Sequence, residues 1–335
     1  MNTLAQYQTL DVDAILSGVV DWLLKESPIL GVLPMKPIRG NSYLYNINLS
    51  LPSPNWVQVG DTLSESTGTW EQRSTNIYTL IDTGYTDKTQ IILNATQDPE
   101  LVAIEQSAQA MAQAWERAFI VGRTSVDSNA KEYKGILRIL AEFESATTTD
   151  LNGAVAGGGG NNSQVLAAGA TNGATSMALL HELVDMIKPG KPDLLLMSKL
   201  SRRRVNALQQ AAGNAGMLMG QSELFGKTMD MFDGIPIMVS DYFLDNFPDN
   251  SSSVLDIATY DYDAVRASGT NLDNSLIFAM KFGERSVQGL HAGDMTHERE
   301  TFIENRNAIA NRFTWNTGLM CASKFSLAVL TGLVS

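Results

Sequence analysis

The chain has 335 residues, 44% hydrophobic and 18% charged, with a formal net charge of −12 and a single cysteine. That is the composition of an ordinary globular protein, long enough for one large domain or two medium ones. It excludes an intrachain disulfide and offers no apolar run of the roughly 18 residues that a membrane-crossing helix needs, and the acidic balance argues against gripping nucleic acid by neutralising phosphates.

The first residues, MNTLAQYQTLDVDAIL, lack a basic stretch followed by an apolar core, so no secretory signal is expected. Residues 11–26 place Val12, Ile15, Leu16, Val19, Trp22 and Leu23 on one helical face, and Glu26-Ser27-Pro28 ends that helix. A connector rich in proline and glycine, SPILGVLPMKPIRGN, follows. From Ser42 to Leu51, Tyr43, Tyr45, Ile47, Leu49 and Leu51 alternate with mostly polar neighbours, which is the period of a strand; Pro52 and Pro54 break it. A second run at Trp56, Val57 and Val59 leads to a polar tip, DTLSESTGT, and the chain returns through Trp70 and a strand over 76–85. Residues 42–85 thus read as a long hairpin-like arm. A two-stranded ribbon is marginal in water, so Trp56 and Trp70 need a surface, either in the same chain or on an adjacent subunit.

The longest periodic segment runs from Asp98 to Gly122. Asp98 is an N-cap, Pro99 occupies the first helical position, and Glu100 sets negative charge against the positive end of the helix dipole. Leu101, Ile104, Ala108, Met111, Trp115, Ala118 and Phe119 share one stripe, the buried face of a spine about 33 Å long. Gly122 closes it as the residue after the cap. Lys131–Leu140 is a short amphipathic segment, and residues 144–174, almost free of charge and rich in Gly, Ala, Thr and Asn, form a linker or long loop.

The second half opens with a helix from Ser176 to Lys188 that buries Leu179, Leu180, Leu183, Val184 and Ile187 and stops at Pro189-Gly190. A strand at 193–198, a helix capped by Ser198 and running to Gly213, and a strand at 234–241 complete a compact α/β unit. Beyond Asn274 the chain is rich in strands. Ile309, Asn311, Phe313 and Trp315 alternate with Ala308, Ala310, Arg312 and Thr314 in a long two-faced strand. These last strands are expected to return to the spine helix, which makes the α/β unit an insertion.

Chemistry-bearing clusters are few. Gly157–Gly160 is followed by Asn161-Asn162-Ser163 and no lysine, unlike a phosphate loop. His291, Asp294, His297 and Glu298 lie close together but draw on no second ligand cluster, so no metal site is expected. Cys321 sits in an apolar strand with no signature joining it to a histidine, and nothing marks Glu284, Glu298 or Glu300 as desolvated, so no catalytic residue and no cofactor are assigned. Arg202-Arg203-Arg204 is the sharpest charge feature. Consecutive helical residues point about 100° apart, and positive charge in a first turn is opposed by the dipole, so contact with an acidic surface of an adjacent subunit competes with a solvated face.

Seven segments, in this order, resemble the major capsid proteins of tailed phages with the Hong Kong 97-like fold. They are ESPILGVLPMKPIRGNSYLYN (26–46), ESTGTWEQ (65–72), AWERAFIVG (114–122), YKGILRIL (133–140), PDLLLMSKLSRRRVNAL (192–208), DGIPIMVSD (233–241) and FGERSVQGLHAG (282–293). The resemblance implies an α+β fold in five parts: an N-terminal arm and helix (1–41), an extended loop (42–85), a peripheral domain with a spine helix at 99–121 (86–150), a linker and axial domain (151–275), and C-terminal strands returning to the peripheral domain (276–335). It further implies self-assembly into the hexamers and pentamers of an icosahedral head that encloses double-stranded DNA without reading its sequence. A separate scaffolding protein is expected rather than a fused one, together with a portal and an optional decoration protein. The candidate contact residues between subunits are Trp56, Trp70, Arg202, Arg203 and Arg204, because aromatic and Arg side chains dominate interface energetics. Two other readings stay open: an encapsulin-type compartment, which shares the fold but encloses enzymes, and an α/β enzyme whose Gly-rich loop 153–160 covers a small-molecule site.

Overall fold

A computed structural model of the protein describes residues 18–19, 27–62, 64–93, 98–122, 131–143, 164–168, 174–211, 221–224, 227–240, 274–303 and 306–334. The helices among them are α1 (Pro28–Val32), α2 (Lys88–Leu93), α3 (Pro99–Val121), α4 (Ile136–Phe143), α5 (Met177–Asp185) and α6 (Lys199–Ala211). The strands of the first half are β1 (Met35–Pro37), β2 (Ser42–Ser50), β3 (Thr69–Asn76), β4 (Tyr78–Asp87) and β5 (Val165–Ala167). Those of the second half are β6 (Leu194–Met197), β7 (Gln221–Leu224), β8 (Lys227–Phe232), β9 (Ile235–Val239), β10 (Asn274–Met280), β11 (Val287–His291), β12 (Thr296–Glu300), β13 (Ala308–Cys321) and β14 (Leu327–Val334). Of the helix expected over 11–26, only residues 18–19 are described, and both are helical. The Gly-rich segment 153–160 lies outside the described residues.

α3 starts and ends for identifiable reasons. The Asp98 carboxylate accepts a hydrogen bond from the Glu100 amide at 3.0 Å, Pro99 fills the first helical position, and Ile104, Ala108, Met111, Trp115, Ala118 and Phe119 are buried. Leu101, expected on that stripe, is instead exposed, because nothing among the described residues covers its side of the first turn. Gly122 departs from a left-handed cap, with φ −45°. Its glycine is required by contact: a Cβ there would stand 1.9 Å from the Tyr133 carbonyl oxygen and 2.6 Å from the Gly135 amide nitrogen. Two facing glycines let residues 131–135 lie against the helix end, so α4 begins only at Ile136.

The arm differs from its expected form. β2 and β3 pair antiparallel from Ser42↔Asn76 to Ser50↔Thr69, and the run at Trp56–Val59 is not a strand. The strand expected over 76–85 is β4, which leaves the ribbon after Asn76 and pairs with β13 from Tyr78↔Thr317 to Asp87↔Ala308. Ile77 makes this junction. Its amide donates to the Asn41 carbonyl at 2.9 Å, and its side chain packs with Leu290 and Met320.

β4 and β13 belong to a five-stranded sheet with β1, β11 and β12. On β13 the side chains of Ile309, Asn311, Phe313 and Trp315 are buried, as the alternation requires. A second, seven-stranded sheet has the order β5-β14-β10-β6-β9-β8-β7. The C-terminal strands divide between the two sheets: β11, β12 and β13 join β4 in the five-stranded one, whereas β10 and β14 pair with each other and β10 with β6, so these two reach the spine helix through one face only. The cause is burial on two sides. Leu276, Phe278 and Met280 of β10 face a core shared with α3, α4, Phe313 and Trp315, while Ile277 and Ala279 face a second core made with α5, α6 and Phe232. A strand apolar on both faces has no outside, so it takes a central position.

Candidate assembly surfaces

The ribbon divides at its base. On the inward face, Tyr43, Tyr45 and Ile47 of β2 stand beside Glu71, Arg73 and Thr75 of β3; Leu44 and Trp70 are on the opposite face, 60% and 70% exposed. Ile47 enters the main core, and the Thr75 hydroxyl donates to the Leu319 carbonyl at 2.9 Å. The Arg73 guanidinium lies over the Phe143 ring, 4.9 Å from its centroid, pairs with Glu71 at 3.2 Å, and donates to the Glu142 carbonyl oxygen at 3.3 Å. Burial pushes the Tyr45 hydroxyl far above its ordinary value, so it stays protonated.

Beyond the ribbon the loop is exposed yet ordered by its own polar groups. The Ser53 amide donates to the Ser66 hydroxyl and the Asn55 side-chain amide to the Ser64 hydroxyl, each at 2.7 Å. A turn at the tip is closed by the Asp61 amide on the Gln58 carbonyl at 3.1 Å, while the Gln58 amide donates to the Asp61 carboxylate at 2.7 Å. Gly60 sits at φ 102°, which this turn position requires. The result presents Trp56 and Val59 fully to solvent, with Leu51 76% exposed beside them.

A second apolar surface lies where α2 meets the start of α3. Ile92 and Leu93 of α2 are 83% and 77% exposed, and Leu101 and Val102 are exposed on the first turn of α3, the helix that α2 contacts. Here the helix is fastened to the sheet by charge. Arg299 of β12 holds Glu100 with two hydrogen bonds of 2.6 and 2.9 Å, and the Asn311 side-chain amide donates to the same carboxylate at 3.0 Å. The Arg299 hydrogen bond holds the Glu100 carboxyl below its usual range.

The arginine run occupies positions four to six of α6, which carries Arg203 and Arg204 just past the first turn where all three were expected. Ser198 caps that helix, its hydroxyl accepting from the Ser201 amide at 3.0 Å. Arg203 is exposed and Arg202 and Arg204 half-buried, and no carboxylate among the described residues forms an ion pair with any of the three. The five candidate contact residues therefore fall in three places: the loop (Trp56), the outer ribbon face (Trp70) and α6 (the arginines). Sequence reasoning missed Ile92, Leu93 and Val59, whose only signal was apolar residues outside any stripe. It also missed Arg73, whose alternation with Glu71 reads like that of a solvated strand.

The histidine cluster is engaged elsewhere. His297 Nε2 lies 3.1 Å from the Asn311 side-chain oxygen with its ring stacked on Phe313, and His291 Nδ1 lies 3.0 Å from the Gly293 carbonyl. Burial pushes the Cys321 thiol up to about 12, and it donates to the Ser323 carbonyl.

A model of the phage capsid family matches residues 12–270. Among solved structures, the chain is similar to the SrpI encapsulin of Synechococcus elongatus PCC 7942, at 15% identity and TM-score 0.60, covering 100% of this chain and 96% of that one. It is also similar to the capsid protein of a GTA particle (12% identity, TM-score 0.58, covering 91% of this chain and 90% of that one). A third similar structure is that of Microbacterium phage Oxtober96 (13% identity, TM-score 0.55, the same shares of each chain). No curated protein matches the chain in sequence. These likenesses establish a mixed α+β capsid fold of the Hong Kong 97-like kind.

Proposed function

This chain belongs to the phage capsid family, a family of structural proteins rather than enzymes, and from that premise we propose how its surfaces build an icosahedral head. The five-stranded sheet with α3 serves as the peripheral domain and the ribbon over 42–76 as the extended loop. The unit from about 176 to 275 serves as the axial domain around the symmetry axes of hexamers and pentamers, and residues 1–41 serve as the arm.

One observation carries this reading: the core is complete within the chain, yet a preformed loop holds Trp56 and Val59 in water. Exposed apolar groups of that size mark a contact surface. In a closed symmetric assembly a contact between unlike surfaces repeats around a ring, so modest contacts are summed over many copies. The loop of one copy therefore docks on a neighbour, and the Ile92, Leu93 and Leu101 surface is its candidate acceptor. Arg203 meets a carboxylate of an adjacent copy. A separate scaffolding protein and a portal are the further partners, with a decoration protein optional. The net charge of −12 suits walls that hold phosphate weakly, so that DNA slides during packing.

Electron microscopy of the purified chain at rising concentration, alone and co-expressed with the scaffolding protein, tests this: capsomer rings or polyhedral shells support it, and a monomer under both conditions refutes it. A second reading, an encapsulin-type compartment, is favoured by the likeness to SrpI over the whole chain. Particle content separates the two: nucleic acid for a head, protein cargo for a compartment.

A further inference from the structure

The ribbon is a lever, and its pivot is a small set of side chains. Distal to Glu71 its exposed residues include Trp70, Leu51 and the tip turn 58–61, whereas Arg73 and Thr75 on β3 and Tyr45 and Ile47 on β2 contact the body. The tip turn lies about fourteen residues from Arg73, a reach of at most ~45 Å at ~3.3 Å per residue, so a 5° change at the base displaces the tip by ~4 Å. That exceeds what an apolar contact tolerates before its atoms lose their neighbours.

We infer that Arg73 is a positioning residue: by fixing the angle at which the ribbon leaves the body, it sets the curvature, and hence the uniform size, of the shell. Its planar guanidinium is suited to this because it is held on several sides. The Phe143 ring lies beneath it, Glu71 of its own strand pairs with it, and the Glu142 carbonyl of α4 accepts from it. α4 is itself braced toward the ribbon, with Lys134 and Arg138 on the Glu142 carboxylate at 2.9 and 3.1 Å and the Lys134 ammonium 3.5 Å from the Ser74 carbonyl. Arg73 is also the cross-strand partner of Tyr45, so its position fixes both strands. A lysine keeps the charge but loses the flat stacking surface and the fork.

The inference rests on the assembly reading, and the experiment separates the two. Particle diameters are measured by electron microscopy for wild type, Arg73→Gln, Arg73→Lys and Phe143→Leu, each with its melting temperature. Wild type is expected to give one diameter. Arg73→Gln is expected to give several diameters or open sheets with melting lowered by only a few degrees, and Arg73→Lys and Phe143→Leu milder broadening. Uniform particles of wild-type diameter from all three variants overturn the pivot, even where melting falls, because that is the signature of a merely stabilising side chain. If Arg73→Gln does not fold, the other two variants decide on the same readout. A wild-type chain that makes no particles, alone or co-expressed with the scaffolding protein, overturns the assembly reading and this inference with it.

Discussion

Trp115 and Trp56 belong to the same chain and meet opposite fates. Trp115, in the C-terminal third of α3, is 1% exposed, stacks on Phe119 and Trp315, donates its indole N–H to the Thr317 hydroxyl at 3.2 Å, and accepts from Tyr133 at its carbonyl. Trp56 has no cover, although the loop that carries it is held in shape by its own hydrogen bonds. The first satisfies every requirement of a buried aromatic within one copy. The second satisfies none within the chain. If Trp56 docks on a neighbour as proposed, stability and assembly reside in separate residues, and each can be broken alone.

Trp115→Ala should produce the largest effect, a loss of about 3–5 kcal/mol of folding stability, read by denaturant unfolding of the unassembled chain. Gly122→Ala comes next, at about 3 kcal/mol, because the new methyl group meets backbone rather than a flexible side chain; thermal melting checks it. Trp56→Ala should leave unfolding within about 0.5 kcal/mol of wild type while weakening each intersubunit contact by about 2 kcal/mol, seen as a rise of tenfold or more in the concentration needed for particles. An equal loss of folding stability in Trp56→Ala would erase the distinction between the two tryptophans.

Glu100→Gln gives the smallest effect and a pH signature. The folded carboxyl titrates below its unfolded value, so its contribution is fully present above about pH 4.3 and is lost as the pH falls through the depressed folded value. With Arg299 partly exposed, that contribution is about 0.5–1 kcal/mol. Melting curves of wild type and Glu100→Gln should differ at neutral pH and converge in acid.

Much of α3 was legible in advance. Asp98-Pro99 announces a helix start through backbone chemistry, and a stripe ending in Trp115, Ala118 and Phe119 announces what is buried. Leu101 was misread because periodicity reports which residues share a face, not how far the covering surface extends. The sheet membership of β10 and β14 was hidden for a related reason: runs such as SLIFAM are apolar on both sides and point toward no particular neighbour. Trp56 and Trp70 stood out as aromatics in a proline-broken, polar arm, so the loop was legible as a surface needing cover. The proposed acceptor was not, since Ile92 and Leu93 belong to no periodic stripe and Leu101 reads as a buried stripe residue until its exposure is seen. Arg73 carried no signal either, because a charge in alternation looks the same over water as over Phe143.

The most direct test of this division is oxidative footprinting of the tryptophans, read by mass spectrometry, before and after assembly. Trp115 should stay protected in both states, while Trp56 should be reactive in the free subunit and become protected in particles. Equal reactivity of Trp56 in the two states would contradict the account.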